Sequence, residues 1–353
     1  MKKFLSLALV LVMVLSVVAL VGCSGKEKTD GDDAAPKLKF GMGIEASYSK
    51  ANDATAEKNG VGEFDAEIVA VLVDADGKIV KCVVDSIKNE VGFTAEGKAV
   101  ELGEFKTKYE LGAEYGMATS KFATDLNGDG EIKEWNEQAD IFVKAVEGKT
   151  LEEAKALMAE TSYGVEELQT AGCTISIGGL IKALEKAVAN ATESDATADS
   201  TLKIGVVSTG KTTDAEGIAD GSIKLDMAIS AAVLGADNKV ISIVSDAIEA
   251  EFSFDTEGVS KTDKGQVVKT KLEKGADYGM AKDGAYDANQ DGVVKEWYEQ
   301  AAAFDAACVG KDAKGIAALE GEGGLGVEDL QTAGCTIAIT NMVAAAVKAA
   351  TVA

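Results

Sequence analysis

Oxygen-bearing side chains stand at alternate positions in two acidic loops, DLNGDGEIKEW (residues 125–135) and DANQDGVVKEW (residues 287–297). Loop positions 1, 3 and 5 hold Asp125, Asn127 and Asp129 in the first loop, and Asp287, Asn289 and Asp291 in the second. A glycine follows in both loops and allows the sharp turn that wraps a loop around an ion. Because Ca²⁺ prefers oxygen ligands at this spacing, each loop predicts a Ca²⁺ site.

The pattern matches the first half of an EF-hand-type loop and departs from it at position 12. Position 7 supplies a backbone carbonyl, from Glu131 in one loop and Val293 in the other. The bidentate glutamate of position 12 is missing, but Glu137 and Glu299 stand one residue later and are candidate substitutes. A solvated turn that caps the following helix is the alternative. We expect weak, structural Ca²⁺ sites that stiffen surface loops.

Both loops belong to a long internal duplication. GVEELQTAGCTISI (residues 164–177) and GVEDLQTAGCTIAI (residues 326–339) differ at two of fourteen positions and lie 162 residues apart. The match extends back through IKEWNEQA and VKEWYEQA to two Tyr-Gly-Met-Ala segments that begin at Tyr115 and Tyr278. A duplication of this length predicts two tandem domains of one fold. Residues that a domain needs for its function are then expected at matching positions in both copies.

The repeated element AGCT resembles the FMN-binding domain of bacterial exported electron-transfer proteins, in which a [ST]-G-A-[TS] element precedes the C-terminal helix. The resemblance implies cofactor-binding residues in both copies: Gly172, Cys173 and Thr174, and Gly334, Cys335 and Thr336. It also implies that a threonine hydroxyl, of Thr174 or Thr336, is esterified to the FMN phosphate. Amides at the start of the final helix favour a phosphate there. The chain departs from the family pattern, since cysteine replaces the motif alanine and alanine replaces the first serine or threonine.

Two alternatives to covalent FMN remain open for this motif. One is noncovalent binding of flavin or of another small ligand. The other is a tight strand-to-helix turn that packs a cysteine into the core and binds no cofactor.

Aromatic and lysine residues also recur at matching positions. A flavin ring would stack on Tyr115 and Trp135, or on Tyr278 and Trp297, whereas the alternative is that the tryptophans anchor a helix to the sheet. The segments Lys106-Thr-Lys108 and Lys269-Thr-Lys271 form the one duplicated basic spot of the chain. They are placed either to face an anion or to lie on a solvated strand edge.

The N-terminus has the charge–apolar–small order of a signal peptide. Two lysines precede an unbroken apolar run over residues 4–21, and Leu20-Val-Gly-Cys23 resembles a bacterial lipobox. The resemblance implies cleavage before Cys23 and diacylation of its thiol. We therefore predict an exported protein, lipid-anchored to the outer face of the cell membrane, with an uncleaved membrane anchor as the alternative.

Composition excludes several classes of function. The formal net charge is −24, and all 35 basic residues are lysine, so the chain has neither arginine nor histidine. Such acidity excludes a nucleic-acid-binding protein, which needs a basic face. A histidine base and histidine metal ligands are likewise excluded. The four cysteines after Cys23 lack a symmetric pairing and a CxxC motif, so buried free thiols are expected.

The patterning predicts an α+β fold: two tandem copies, each a small antiparallel sheet packed against C-terminal helices. Expected strands span residues 38–44, 64–74 and 78–87 in one copy and 202–207, 223–235 and 239–248 in the other. Expected helices span residues 134–146 and 296–308, with one more after Thr150 and an amphipathic helix at the end of each copy. The predicted boundaries are a signal peptide (1–22), a lipid-anchored tether (23–36), repeat domain 1 (37–192), a linker (193–200) and repeat domain 2 (201–353).

Two functions are compatible with these observations. The first is a membrane-anchored flavin carrier that passes electrons outside the cell, with the chemistry supplied by the flavin. The second is a non-catalytic, calcium-stabilised surface lipoprotein that binds a small ligand or a partner.

Overall fold

Three long antiparallel strands open each repeat of this computed structural model, which describes residues 37–120, 125, 128, 130–281 and 294–352. We call residues 37–192 the first repeat and residues 201–353 the second repeat. The strands of the first repeat are β1 (Lys39–Asn52), β2 (Gly60–Val73) and β3 (Ile79–Phe93), and those of the second are β5 (Thr201–Thr213), β6 (Gly221–Leu234) and β7 (Val240–Phe254). A two-residue strand, β4 (Thr192–Glu193), pairs with the edge of β1. The sheet orders are β3-β2-β1-β4 and β5-β6-β7.

Helices follow the strands in each repeat. The first repeat has α1 (Lys108–Leu111), α2 (Trp135–Val146), α3 (Leu151–Lys155), α4 (Glu166–Thr170) and α5 (Gly178–Ala189). The second has α6 (Lys271–Lys274), α7 (Trp297–Cys308), α8 (Ala313–Ala317), α9 (Glu328–Thr332) and α10 (Thr340–Ala350). Local signals set several of these starts, because Thr107, Thr150 and Thr270 each cap a helix by accepting a hydrogen bond from the backbone of a glutamate three residues later.

The central strands are apolar on both faces. In β2, Ile68, Ala70 and Leu72 point into one core, while Val69 and Val71 point into another. Successive strand residues face opposite sides of a sheet, so continuous burial means that both sides are covered. The outer side of each sheet carries the helices of its own repeat.

The inner sides of the two sheets form a single core that both repeats share. At its end, Phe93 and Phe254 stack with ring centroids 4.5 Å apart and planes inclined by 1°. These phenylalanines hold the same position in the two repeats, since each pairs with the glycine that begins its neighbouring strand. The repeats therefore pack as a pseudo-symmetric pair, a feature that the sequence did not predict.

Reciprocal contacts join the repeats around this core. Lys186 Nζ on α5 lies 2.7 Å from Glu273 Oε1, and Lys348 Nζ on α10 lies 2.5 Å from Glu110 Oε1. The described residues of the two repeats form one compact unit accordingly.

The predicted fold class is confirmed: each copy has an antiparallel sheet with helices after it. The strands are longer than expected because polar residues in β1, such as those around Tyr48, alternate with residues buried in the shared core. Residues 193–200 were expected to be a polar linker, yet Ala196 is buried in the same core. The domain boundaries stay a prediction. Within the described ranges, none of the helices is long and apolar enough to span a bilayer.

Candidate functional site

A buried glutamine joins three of the duplicated motifs in the first repeat. Gln138 lies on α2, and its Oε1 accepts hydrogen bonds from the backbone N–H of Thr174 (2.7 Å) and from the Thr174 hydroxyl (3.1 Å). Its Nε2 donates to the carbonyl oxygen of Lys133 (2.8 Å) and contacts Met117 Sδ at 3.4 Å. Gln138 is only 1 % exposed. The AGCT motif, the exit of the acidic loop and the Tyr-Gly-Met segment therefore meet at one side chain.

The second repeat builds the same arrangement around Gln300. Its Oε1 accepts from the N–H and hydroxyl of Thr336 at 2.8 and 3.0 Å, and its Nε2 donates to the Lys295 carbonyl oxygen at 2.9 Å. The glutamates that precede the two helices have a matching role: Glu134 accepts from the N–H of Met117 and Glu296 from that of Met280. Much of the duplicated sequence is thus explained by a shared hydrogen-bond network.

The six predicted flavin-site residues lie in a turn between two helices, after α4 and α9, rather than in a strand-to-helix turn. Cys173 and Cys335 are fully buried in the outer cores. Burial raises the pKa of the Cys173 thiol to about 12 and that of Cys335 to about 11. Gly172 and Gly334 have φ angles of +100° and +98°, which favour glycine. All four described cysteines are free and buried, as expected.

The two threonine hydroxyls of the motif are half-buried and engaged with the glutamines. A cavity of about 520 Å³ adjoins the first copy, but it is lined on the motif side by Glu167, Leu168 and Ala171. In the structure the hydroxyls of Thr174 and Thr336 are therefore hydrogen-bonded to Gln138 and Gln300. FMN attachment to them stays a prediction.

The acidic loops are only partly described. Asp125 accepts hydrogen bonds from the N–H groups of Gly128 (2.7 Å) and Gly130 (2.9 Å), as the first residue of a tight loop does. Glu131 lies 3.8 Å from Lys133 Nζ. The Glu137 carboxylate accepts a hydrogen bond from the N–H of Glu134, and the Glu299 carboxylate accepts one from the N–H of Glu296. Both glutamates therefore cap the starts of their own helices, α2 and α7. The other predicted Ca²⁺ ligands lie outside the described residues: Asn127, Asp129, Asp287, Asn289, Asp291 and Val293.

Cys23 also lies outside the described residues, so lipidation stays a prediction. The described part of the chain brings no three His, Cys, Asp or Glu side chains together as a metal site. The Ca²⁺ sites likewise stay a prediction from the sequence.

One lysine of each duplicated pair, Lys108 or Lys271, packs against aromatic rings, whereas Lys106 and Lys269 are exposed. In the first repeat, Lys108 Nζ lies 5.1 Å from the centre of the Trp135 ring and 5.7 Å from that of Tyr115. Its ion-pair partner is Glu67 on β2, with 3.5 Å between Nζ and Oε1. Burial raises the pKa of Glu67, against the attraction of Lys108. Burial would lower the pKa of Lys108, but the negative charge of Glu67 raises it.

In the second repeat, the equivalent lysine, Lys271, has a different carboxylate partner. Lys271 Nζ lies 4.8 Å from the Tyr278 ring and 5.4 Å from the Trp297 ring. Its carboxylate partner is Glu249 on β7, at 2.7 Å, and the Tyr278 hydroxyl donates to that carboxylate at 2.9 Å. Burial alone would lower the pKa of Lys271, but the hydrogen bond to Glu249 raises it. The residue at the position of Glu67 is Ala228.

A cavity of about 250 Å³ opens where the second repeat lacks the glutamate side chain, and we call it the second-repeat cleft. Its charged walls are Lys271, Glu249 and Asp226, and its apolar walls include Trp297. It is also lined by Met227, Ala228, Ala247, Ile248, Ala338, Asn341 and Met342. In the first repeat the corresponding space contains Glu67, whose Cγ would lie 2.8 Å from a Cβ on Gly179. Gly179 is matched by Asn341 in the second repeat.

The sequence analysis singled out Lys271, Tyr278 and Trp297 but not the residues that open the cleft. The exchange of Glu67 for Ala228 was visible once the repeats were compared strand by strand, although its consequence depends on which face of the sheet the residue occupies. Gln138 and Gln300 were missed as well, because a glutamine on a helix is ordinarily exposed.

Comparison of the chain with protein-family models, with curated proteins and with solved structures found no match. The resemblance to FMN-binding domains therefore rests on the motif residues alone and stays a prediction.

Proposed function

We propose that this protein is an exported, lipid-anchored, non-catalytic binding protein whose ligand site is the second-repeat cleft. One observation carries the proposal: the cleft is open at Ala228, whereas the matched space of the first repeat is filled by Glu67. Concave sites with apolar walls and a few charged groups are where small ligands bind. The lysine–aromatic arrangement is kept in both repeats, but only in the second does it border free space among the cavities described.

The state of the duplicated AGCT motif supports this function over a flavin carrier. Each threonine hydroxyl donates to a buried glutamine, and each cysteine is buried with a raised pKa. These roles account for the duplication without a cofactor. A covalent flavin on Thr174 or Thr336, seen as added mass on protein from the native host and lost in Thr174→Val, would favour the flavin carrier instead.

The predicted tether and Ca²⁺ loops have separate tests. Cys23→Ala is expected to block lipid attachment and leave an unprocessed precursor. Ca²⁺ is expected to raise the melting temperature, and Asp125→Ala with Asp287→Ala is expected to abolish the rise. Neither outcome affects the second-repeat cleft.

Equilibrium dialysis tests the binding function directly and requires no choice of ligand beforehand. The mature protein is dialysed against the small-molecule fraction of its native host, and retained compounds are identified by mass spectrometry. We expect at least one compound to be enriched by the wild type and not by Ala228→Glu, which refills the cleft. No enrichment, or equal enrichment by both proteins, would contradict the proposal.

A further inference from the structure

We infer that the ligand of the second-repeat cleft is a free α-amino acid with an apolar side chain, bound as a zwitterion. The inference rests on the proposed binding function and names the chemistry of its ligand. It comes from comparing the charges that the two repeats place at the same positions. The first repeat carries Asp65, Glu67, Lys88 and Lys108, and the second carries Asp226, Ala228, Glu249 and Lys271.

The first repeat shows where the carboxylate of a ligand would lie. The Glu67 carboxylate pairs with Lys108, and its side chain passes against Gly179 in the first turn of α5. The start of a helix favours a negative charge. The second repeat keeps both attracting groups, since Lys271 and the first turn of α10, at Asn341 and Met342, line the cleft. It lacks a carboxylate at the place of Glu67, and Lys271 pairs with Glu249 instead.

A second difference between the repeats favours an ammonium group in the ligand. Asp65 and Lys88 lie directly opposite each other on β2 and β3, so their charges attract, although the ion pair that Lys88 forms is with Glu63, at 3.4 Å. The matched pair on β6 and β7 is Asp226 and Glu249, two carboxylates, and like charges directly opposite are unfavourable. Among the described residues, the exposed Asp226 carboxylate has no ion pair. A ligand ammonium placed beside it replaces the positive charge that Lys88 supplies in the first repeat.

The arrangement of the charges, rather than their sum, favours a zwitterion. The four matched positions sum to zero in the first repeat and to one negative charge in the second, and a zwitterion leaves the second sum unchanged. A simple carboxylate would be the third carboxylate of the cleft and would bring no positive charge to Asp226, since Lys271 already pairs with Glu249 at 2.7 Å. A simple amine would bring no negative group to Lys271 and the start of α10. In the first repeat, Glu67 provides that group. A zwitterion supplies both charges, and Ala228, Trp297 and Met342 offer an apolar wall for its side chain.

The charge requirement is tested with three probes that share one side chain. L-leucine carries both charges, N-acetyl-L-leucine lacks the ammonium and L-leucinamide lacks the carboxylate. For the full mature chain, titration calorimetry is expected to give L-leucine a Kd at least tenfold lower than that of either analogue. L-alanine and L-phenylalanine, measured in parallel, define the side-chain preference.

Variants then assign each charge to its partner. Asp226→Asn is expected to weaken L-leucine binding at least fivefold and to leave N-acetyl-L-leucine unaffected. Lys271→Met is expected to weaken L-leucine and to leave L-leucinamide unaffected. Ala228→Glu is expected to abolish binding of all probes. Asp65→Asn, the matched change in the first repeat, is the control and is expected to change nothing.

Three results would overturn the inference. The first is an analogue that binds as tightly as L-leucine. The second is failure of all three amino acids to bind at millimolar concentration, and the third is binding that survives both Asp226→Asn and Lys271→Met. If dialysis enriches a compound that is not an amino acid, the binding function stands and the amino-acid assignment fails.

Discussion

Glu67 and Ala228 hold the same place in the two sheets, Glu67 opposite Ser86 on β3 and Ala228 opposite Ala247 on β7. One side chain fills the space between sheet and final helix and neutralises a buried lysine. The Ala228 side chain leaves that space open, and Lys271 pairs instead with Glu249 on the neighbouring strand. Duplication has therefore kept one lysine–aromatic arrangement in two states, one closed by the chain itself and one open.

The first prediction concerns the two lysine partners. Glu67→Gln removes the counter-ion of Lys108, whose side chain is 11 % exposed, and is expected to lower the free energy of unfolding by about 3 kcal/mol. Glu249→Gln removes a partner that is 42 % exposed and is expected to cost less than about 1 kcal/mol. Urea unfolding of both variants measures the difference. An equal cost for the two changes would contradict the closed-and-open description.

The second prediction concerns the buried glutamine. Gln138→Leu leaves the N–H of Thr174 without its acceptor and the carbonyl of Lys133 without this donor. Each buried polar group left unpaired costs about 1–3 kcal/mol, so a loss of about 2–6 kcal/mol is expected in urea unfolding. The exposed Lys144→Ala, on the same helix, is the control and is expected to stay within about 0.5 kcal/mol of the wild type. A Gln138→Leu protein as stable as this control would show that the network is not structural.

Features set by neighbouring residues were predicted from the sequence, whereas features set by contacts between distant segments were not. The turn between the expected strands 64–74 and 78–87 and the helix start after Thr150 are local, and both were predicted at the right places. The shared core was not predicted, because the continuous apolar run in β2 shows that both faces are buried without showing what covers the second. The role of Gln138 was not predicted either, since its partners Thr174 and Met117 come from distant segments of the chain.

The candidate site was likewise predicted only in part. Matching positions in the two repeats identified Lys271 and Trp297 from the sequence. The cleft was not predicted, because the effect of Ala228 depends on the strand register and on the helix that covers it. The AGCT motif was the strongest repeated signal, and its burial with Gln138 explains that repetition structurally.

The third prediction concerns the contact between repeats. A Cβ on Gly97 would lie 2.8 Å from Thr256 Cα of the second repeat, and its φ is +67°. Gly77 has a φ of +78° and nothing within 4 Å of its Cβ position. Gly77→Ala thus measures the backbone cost alone, about 1–2 kcal/mol. Gly97→Ala is expected to cost at least about 1 kcal/mol more, because overpacking adds to the backbone term.

The reciprocal variant provides a check on that result. A Cβ on Gly258 would lie 2.6 Å from the Thr94 carbonyl oxygen of the first repeat, so Gly258→Ala is expected to behave like Gly97→Ala. If both match Gly77→Ala in urea unfolding, the repeats do not pack against each other as described.

The fourth prediction concerns pH. Burial raises the pKa of Asp305 from 3.8 to about 7, although hydrogen bonds from Ser245 oppose the shift. The folded state therefore binds this proton more tightly than the unfolded state, and the stability contribution falls as pH rises from about 4 through 7. Asp305→Asn removes the titrating carboxyl group and with it the loss of stability at higher pH. The variant is expected to match the wild type near pH 4 and to exceed its free energy of unfolding by on the order of 1–3 kcal/mol at pH 8.

Unfolding at several pH values measures this difference, with the exposed Asp199→Asn as the control, which is expected to stay within about 0.5 kcal/mol of the wild type. A gain for Asp305→Asn that is largest at pH 4 would have the wrong sign and would contradict the assignment.

Fluorescence of Trp297 tests the central claim, that the second-repeat cleft binds a ligand while the first repeat is closed. Trp135→Phe leaves Trp297 as the only tryptophan, at the cleft wall, and Trp297→Phe leaves Trp135, beside Lys108. The compound that dialysis enriches most strongly is titrated into each variant. We predict a saturable change of emission in Trp135→Phe, none in Trp297→Phe, and loss of the change when Ala228→Glu is added. A change reported by Trp135, or one that persists with Ala228→Glu, would contradict the account.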